Sequence, residues 1–193
     1  MIHVLSTSLL AGALAVDDRS SVRLMISQPI CAGLLTGFAL GDPGGGFLAG
    51  ALIQVMFLGV IPVRGMPMPD LALGGVAASA LYVLALRSIN GDPGEKGLVL
   101  FLSLVSALVV ALVGRALHRF WEGRSYVLTE RAVRCVDAGR FRLASALHFS
   151  SVGVHFAIGF AVVGVAVLAG VPAIGGIARA VSGKWCEPLG SLP

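Results

Sequence analysis

The sequence predicts an all-α, polytopic membrane protein with short, broken or re-entrant helices in its N-terminal half. Three observations predict it. Of 193 residues, 56% are hydrophobic and 12% charged, about half the charged share of a soluble domain, and mean hydropathy is +0.92. The apolar residues fall in runs parted by Gly/Pro/Asp turns, and the chain length suits about five or six membrane segments. Two of the runs are short and interrupted, which a bilayer tolerates only where backbone lines a protected cavity. No shift of composition divides the chain, so 1–193 reads as one membrane domain.

Met1–Val16 is the first apolar segment, with Ser6, Ser8 and Gly12 as small residues suited to helix contact. It lacks a basic leader region and runs into Asp17-Asp18, so it is expected to stay in the mature chain. After a polar break containing Arg19 and Arg23 come Leu24–Leu40 and Phe47–Val63, each 17 residues long. At about 1.5 Å per residue each falls short of the roughly 30 Å hydrocarbon core. The first is interrupted by Gln28-Pro29 and the second by Gln54, and a Gly-Asp-Pro-Gly-Gly-Gly turn joins them. Residues 24–70 are therefore the broken-helix region in which a site is sought.

Leu71–Leu86 follows as an Ala- and Gly-rich apolar helix. The turn at Asn90–Gly94 repeats the Gly-Asp-Pro-Gly of 41–44, where Pro fixes φ and Gly supplies positive φ. Gly97–Gly114 is the cleanest span. Seven arginines then lie between Arg115 and Arg142 against Glu122, Glu130 and Asp137. Such a bias orients a loop to the cytoplasm, and apolar residues recurring among the arginines read as an amphipathic, surface-lying stretch over 115–146. Phe149–Gly170 is the final clear span, and the chain from Val171 reads as a stub without another helix. The net charge of +4 is absorbed by this topology and implies no nucleic acid.

Gln54 admits two readings, a ligand amide or a helix–helix hydrogen bond. Gln28 either lines a site or satisfies the break made by Pro29. Asp70 either N-caps the helix at Leu71 or offers a carboxylate to a polyol. Asp42 reads first as turn chemistry, and Arg64 as an interfacial anchor or an ion-pair partner. His155 reads as a buried hydrogen-bonded residue. The other histidines, His3, His118 and His148, sit near segment ends and form no catalytic set. Cys31, Cys135 and Cys186 show no metal or disulfide spacing. No phosphate loop, nucleophile elbow or metal motif occurs, so neither cofactor nor metal is expected.

The ordered set Asp18-Arg19, Met25–Pro29, Gly37…Gly41-Asp42, Gly46…Gly50…Gln54…Leu58-Gly59 and Gly65…Pro69-Asp70 resembles the membrane IIC subunit of the mannose/fructose/sorbose branch of the sugar phosphotransferase system. Asp137-Ala-Gly139 and His148…Ser150-Ser151 extend the likeness, which covers about Asp17 to Gly170. The resemblance implies a sugar-translocating subunit, for a hexose or amino sugar, that slides a transport unit against a scaffold in the bacterial plasma membrane. It implies a hetero-oligomer with a IID membrane subunit. Cytoplasmic IIB and IIA proteins would carry the phosphoryl group, so no catalytic residue is expected here. Sugar contacts carry over onto Gln54 and Asp70, and also onto Gln28 and Asp42. Three departures accompany it: Gln28 stands where the family has Arg, Gln54 where Glu is common, and the chain is shorter at its C-terminal end. The last admits an alternative, a shortened, non-transporting scaffold or regulatory subunit.

Overall fold

The computed structural model describes residues 1–19, 24–59, 68–89 and 93–186. These form α1 (Ile2–Arg19), α2 (Pro29–Leu40), α3 (Pro43–Phe57), α4 (Leu71–Leu86), α5 (Pro93–Asp137) and α6 (Phe141–Cys186). No strand occurs among the described residues.

α4 is the centre. Its sequence, LALGGVAASALYVLAL, is apolar all round, the pattern of a helix buried on every side. Residues Ala72 to Val83 are buried without a break, and α4 packs against each of the other five helices. Glycine and alanine let neighbours approach closely. A Cβ on Gly75 would come 2.8 Å from Pro29 Cα, and one on Gly74 would come 3.3 Å from Ala111 Cβ.

α2 and α3 form a helical hairpin laid on α4. Gly41, at φ +79°, closes α2 in a Schellman motif: Asp42 N donates to Gly37 O at 2.9 Å and Gly41 N to Phe38 O at 3.2 Å. Asp42 then caps α3, accepting from Gly45 N at 2.9 Å, with Pro43 opening the helix. A Cβ on Gly33 would meet Gly46 O at 2.6 Å and Gly50 Cα at 2.7 Å, so the hairpin packs backbone on backbone. Ser79 of α4 donates to Gly46 O at 2.8 Å. With 12 and 15 residues, the two helices reach about 18 and 22 Å, short of the membrane core. The pair therefore returns to the end from which it started, as the broken runs predict. The second run is helical to Phe57; residues 60–67, including Arg64, lie outside the described residues.

The C-terminal half differs from the sequence reading in two places. The stretch after Gly114 does not leave the spanning helix to lie on a surface: α5 continues unbroken for 45 residues, about 67 Å. It turns at Gly139, φ +72°, where Arg140 N donates to Cys135 O at 2.7 Å and Gly139 N to Val136 O at 2.9 Å. This is a second Schellman motif, and α6 runs back antiparallel along α5. The reason is local: between Arg115 and Asp137 only Gly123 weakens the helix, and nothing breaks it. Nor does the chain become a stub at Val171, because α6 passes through Pro172 to Cys186, losing one donor there. Ser8 and Gly12 of α1 do lie in a helix contact. A Cβ on Gly12 would come 2.9 Å from Phe156 O, and one on Gly164 would come 2.8 Å from Ser8 Oγ. α5 and α6 are long and apolar enough to cross a membrane, and the whole is an all-α membrane protein.

Candidate functional site

The open end of the α2–α3 hairpin brings Gln28 and Gln54 together. Gln28 precedes Pro29 at the head of α2, Gln54 sits in the last turn of α3, and Gln54 Nε2 donates to Gln28 Oε1 at 3.2 Å. The carbonyl Oε1 of Gln54 is buried and has no donor. Gln28 is itself exposed and helps line a cavity of about 400 Å³, within the roughly 300–1,000 Å³ of small-molecule sites. The cavity lies between the end of α1, the heads of α2 and α4, and Arg115 of α5, with Asp18, Arg19, Gln28 and Asp70 on its wall.

The approach to α2 is held from α1. Asp17 accepts from Leu24 N at 2.9 Å and from Ser27 N at 3.2 Å. Between them Met25 adopts φ +60°, a conformation unusual outside glycine that the surrounding contacts must hold. Gln28 is aimed by this turn.

Asp70 caps α4 as the sequence predicts, Oδ1 accepting from Leu73 N at 3.1 Å. Its main-chain N–H reaches across to Ala111 O of α5 at 3.0 Å. The other oxygen, Oδ2, accepts from Arg19 Nη2 at 3.0 Å in a buried ion pair. Both carboxylate oxygens are thus engaged inside the protein and the side chain is fully buried. Its effect on the cavity runs through the guanidinium it holds. Arg19 also faces Asp18 at 3.4 Å and Glu122 at 3.7 Å, and Glu122 lies 3.9 Å from Arg115. A guanidinium this buried requires such partners. Arg19 Nε and Arg115 Nε are buried and make no hydrogen bond; the carboxylate facing Arg19 Nε is that of Glu122, at 3.7 Å.

Of the four sequence candidates, the structure sets Gln54 on Gln28 and places Gln28 and Asp70 on one cavity. It leaves Asp42 apart: twelve residues of α3, about 18 Å of helix, separate it from Gln54. His155 is hydrogen-bonded, its partner being His118. Arg19 and Arg115 on the cavity wall, and His118 and Glu122 beside Asp70 and Arg19, were not among the sequence candidates, because charges after an apolar run read as topology and His118 as a segment-end histidine. The signal was present in the spacing: Arg115, His118 and Glu122 follow at i, i+3 and i+7, one face of a helix. Among the described residues no cluster suited to a metal occurs.

Residues 1–190 match the family described as the sorbose-specific IIC component of the phosphotransferase system. A curated relative, the sorbose-specific EIIC component of Klebsiella pneumoniae, is 27% identical over 155 residues, 80% of this chain and 53% of its own length. The chain thus spans about half the length of that relative. Among solved structures, the cryo-EM structure of the mannose transporter ManYZ with microcin E492 superposes with a TM-score of 0.63 at 18% identity, covering 98% of this chain and 78% of that one. That likeness is one of fold. The chain belongs to the sorbose-specific IIC family of the sugar phosphotransferase system.

Proposed function

We propose that the chain is a sugar-translocating IIC subunit and that the cavity beside Gln28, Arg19 and Arg115 takes a neutral sugar. The observation that carries the reading is the polar wall of the cavity: Arg19, Arg115, Asp18 and Gln28 converge on a space of about 400 Å³. A sugar hydroxyl, which both donates and accepts, can take a hydrogen from a guanidinium and give one to a carboxylate or an amide carbonyl. Asp18 and Gln28 add an acceptor and a mixed amide at the wall. Positive and negative side chains are mixed around the cavity, which suits a polyol better than an ion.

In this reading Gln28, Arg19 and Arg115 contact the sugar. Gln54 acts through Gln28, and Asp70 holds Arg19. The sugars named for its relatives, sorbose and mannose, are the first ligands to try. The partners that follow are a IID membrane subunit and cytoplasmic IIB and IIA proteins, in a multi-pass arrangement in the bacterial inner membrane. Phosphoryl transfer belongs to the cytoplasmic partners. Isothermal titration of the detergent-solubilised protein, co-expressed with its IID partner, tests the reading. Saturable binding of either sugar, weakened about tenfold by Gln28→Leu, is the expected result; no binding by the wild type overturns it.

A further inference from the structure

Behind the cavity's buried ion pair stand two histidines on different helices. His118 of α5 is completely buried. Its Nδ1 lies 2.9 Å from Nδ1 of His155 in α6, and the rings stack with centroids 5.0 Å apart. The second ring nitrogen, Nε2, has no hydrogen-bond partner and faces Asp70 Oδ2 at 3.7 Å.

This arrangement favours one placement of the hydrogens. Two imidazoles meeting nitrogen to nitrogen need one N–H and one lone pair. A carboxylate oxygen faces Nε2 of His118, so that nitrogen carries the hydrogen. Nδ1 of His118 then holds the lone pair, and His155 donates to it. His155 thus donates to His118, whose Nε2 faces Asp70 across 3.7 Å, and Asp70 in turn holds Arg19, so the series runs over α6, α5, α4 and α1. The other charges at the cluster are Asp18 beside Arg19, and Arg115 and Glu122 on α5. A shift of about half an ångström brings the 3.7 Å contact into hydrogen-bond range, and site contacts commonly tighten in this way when a ligand binds.

We propose that His118 is a positioning residue of the cavity: its Nε2–H holds the Asp70 carboxylate, and through it the Arg19 guanidinium, in the register that a ligand meets, while His155 fixes the tautomer. Its consequence for affinity rests on the sugar-site reading above; its geometry does not.

The test uses the full chain in nanodiscs, labelled with ¹⁵N at histidine and arginine. The spectrum is expected to show His118 protonated at Nε2 and His155 at Nδ1. In His118→Gln the amide nitrogen takes the place of Nε2, so sorbose or mannose affinity stays within about threefold of wild type. In His118→Asn the amide reaches only the place of Nδ1 and the contact with Asp70 is lost. Affinity then falls about tenfold, and the Arg19 Nε resonance shifts. A role confined to packing treats the two variants alike. Equal behaviour of Gln and Asn, or a His118 hydrogen found on Nδ1, overturns the proposal. If the wild type binds neither sugar, the sugar reading fails by itself. The histidine tautomers and the Arg19 resonance, displaced in His118→Asn and not in His118→Gln, then decide this one.

Discussion

Gln54 donates its amide hydrogen to the side-chain carbonyl of Gln28 at 3.2 Å, across the open end of the α2–α3 hairpin. These are two of the positions at which the chain departs from the family pattern it resembles, where Arg and Glu are usual. The departures touch each other. As a pair of amides they place no lone charge in an apolar segment.

That contact predicts coupling between the two sites. Gln54→Glu alone puts a carboxylate without a counter-charge into an apolar segment, since Gln28 can offer it only an amide N–H, and lowers thermal stability. Adding Gln28→Arg restores a complementary pair and recovers the loss. The coupling is expected to be on the order of 1 kcal/mol, because Gln28 is exposed and the pair is only partly shielded. Thermal unfolding of the two single variants and the double variant measures it; additive losses would show that the contact carries no energy.

The hairpin's close approach predicts sharp intolerance at Gly46 and none at Gly94. A Cβ at Gly46 would run into the backbone of Gly33 and Gly37, whereas one at Gly94 meets nothing. Gly46→Leu is expected to cost about 3 kcal/mol or more, the upper end of overpacking. Gly94→Ala is expected to stay within about 0.5 kcal/mol. Melting temperatures in detergent compare them.

Asp70→Asn separates capping from charge. Asn caps a helix as well as Asp, so α4 should begin at Leu71 as before. Arg19 loses its buried counter-charge and keeps only Asp18 and Glu122 at longer range. A loss of about 2 kcal/mol in stability is expected, together with weakened ligand binding. Unchanged stability would mean that Asp70 acts as a cap alone.

The sequence made the hairpin legible because its signals are local. Short runs, Pro29 and Pro43 at helix starts, Gly41 at a helix end and Asp42 and Asp70 as caps each act within a few residues. The cavity was only half legible. Gln28 and Asp70 stood out as polar residues beside apolar runs. Arg19 and Arg115 carry the same charge as any topology arginine, and only the packing of α1 and α5 against the head of α4 sets them facing Asp70 and Glu122. The α5 extension was misread for a related reason: amphipathic spacing is the same in a helix lying on a membrane and in one packed against α6.

The orientation of that extension has its own test. Seven arginines between Arg115 and Arg142 predict, by the positive-inside bias, that the α5–α6 turn faces the cytoplasm. Cysteine introduced at Arg124 should be labelled in intact cells only by a membrane-permeant reagent. Ready labelling by an impermeant one reverses the topology.

The central claim is that a sugar binds beside Gln28, Arg19 and Arg115 and away from the α2–α3 turn. Sorbose and mannose titrated against Arg115→Gln and Asp42→Asn, co-expressed with the proposed IID partner, test it most directly. Asn preserves the α3 cap, so Asp42→Asn is expected to bind as the wild type does. Arg115→Gln removes a charged donor at the cavity wall and should weaken binding about tenfold or more. Loss of binding in Asp42→Asn with full binding in Arg115→Gln would contradict the account and move the site to the opposite end of the hairpin.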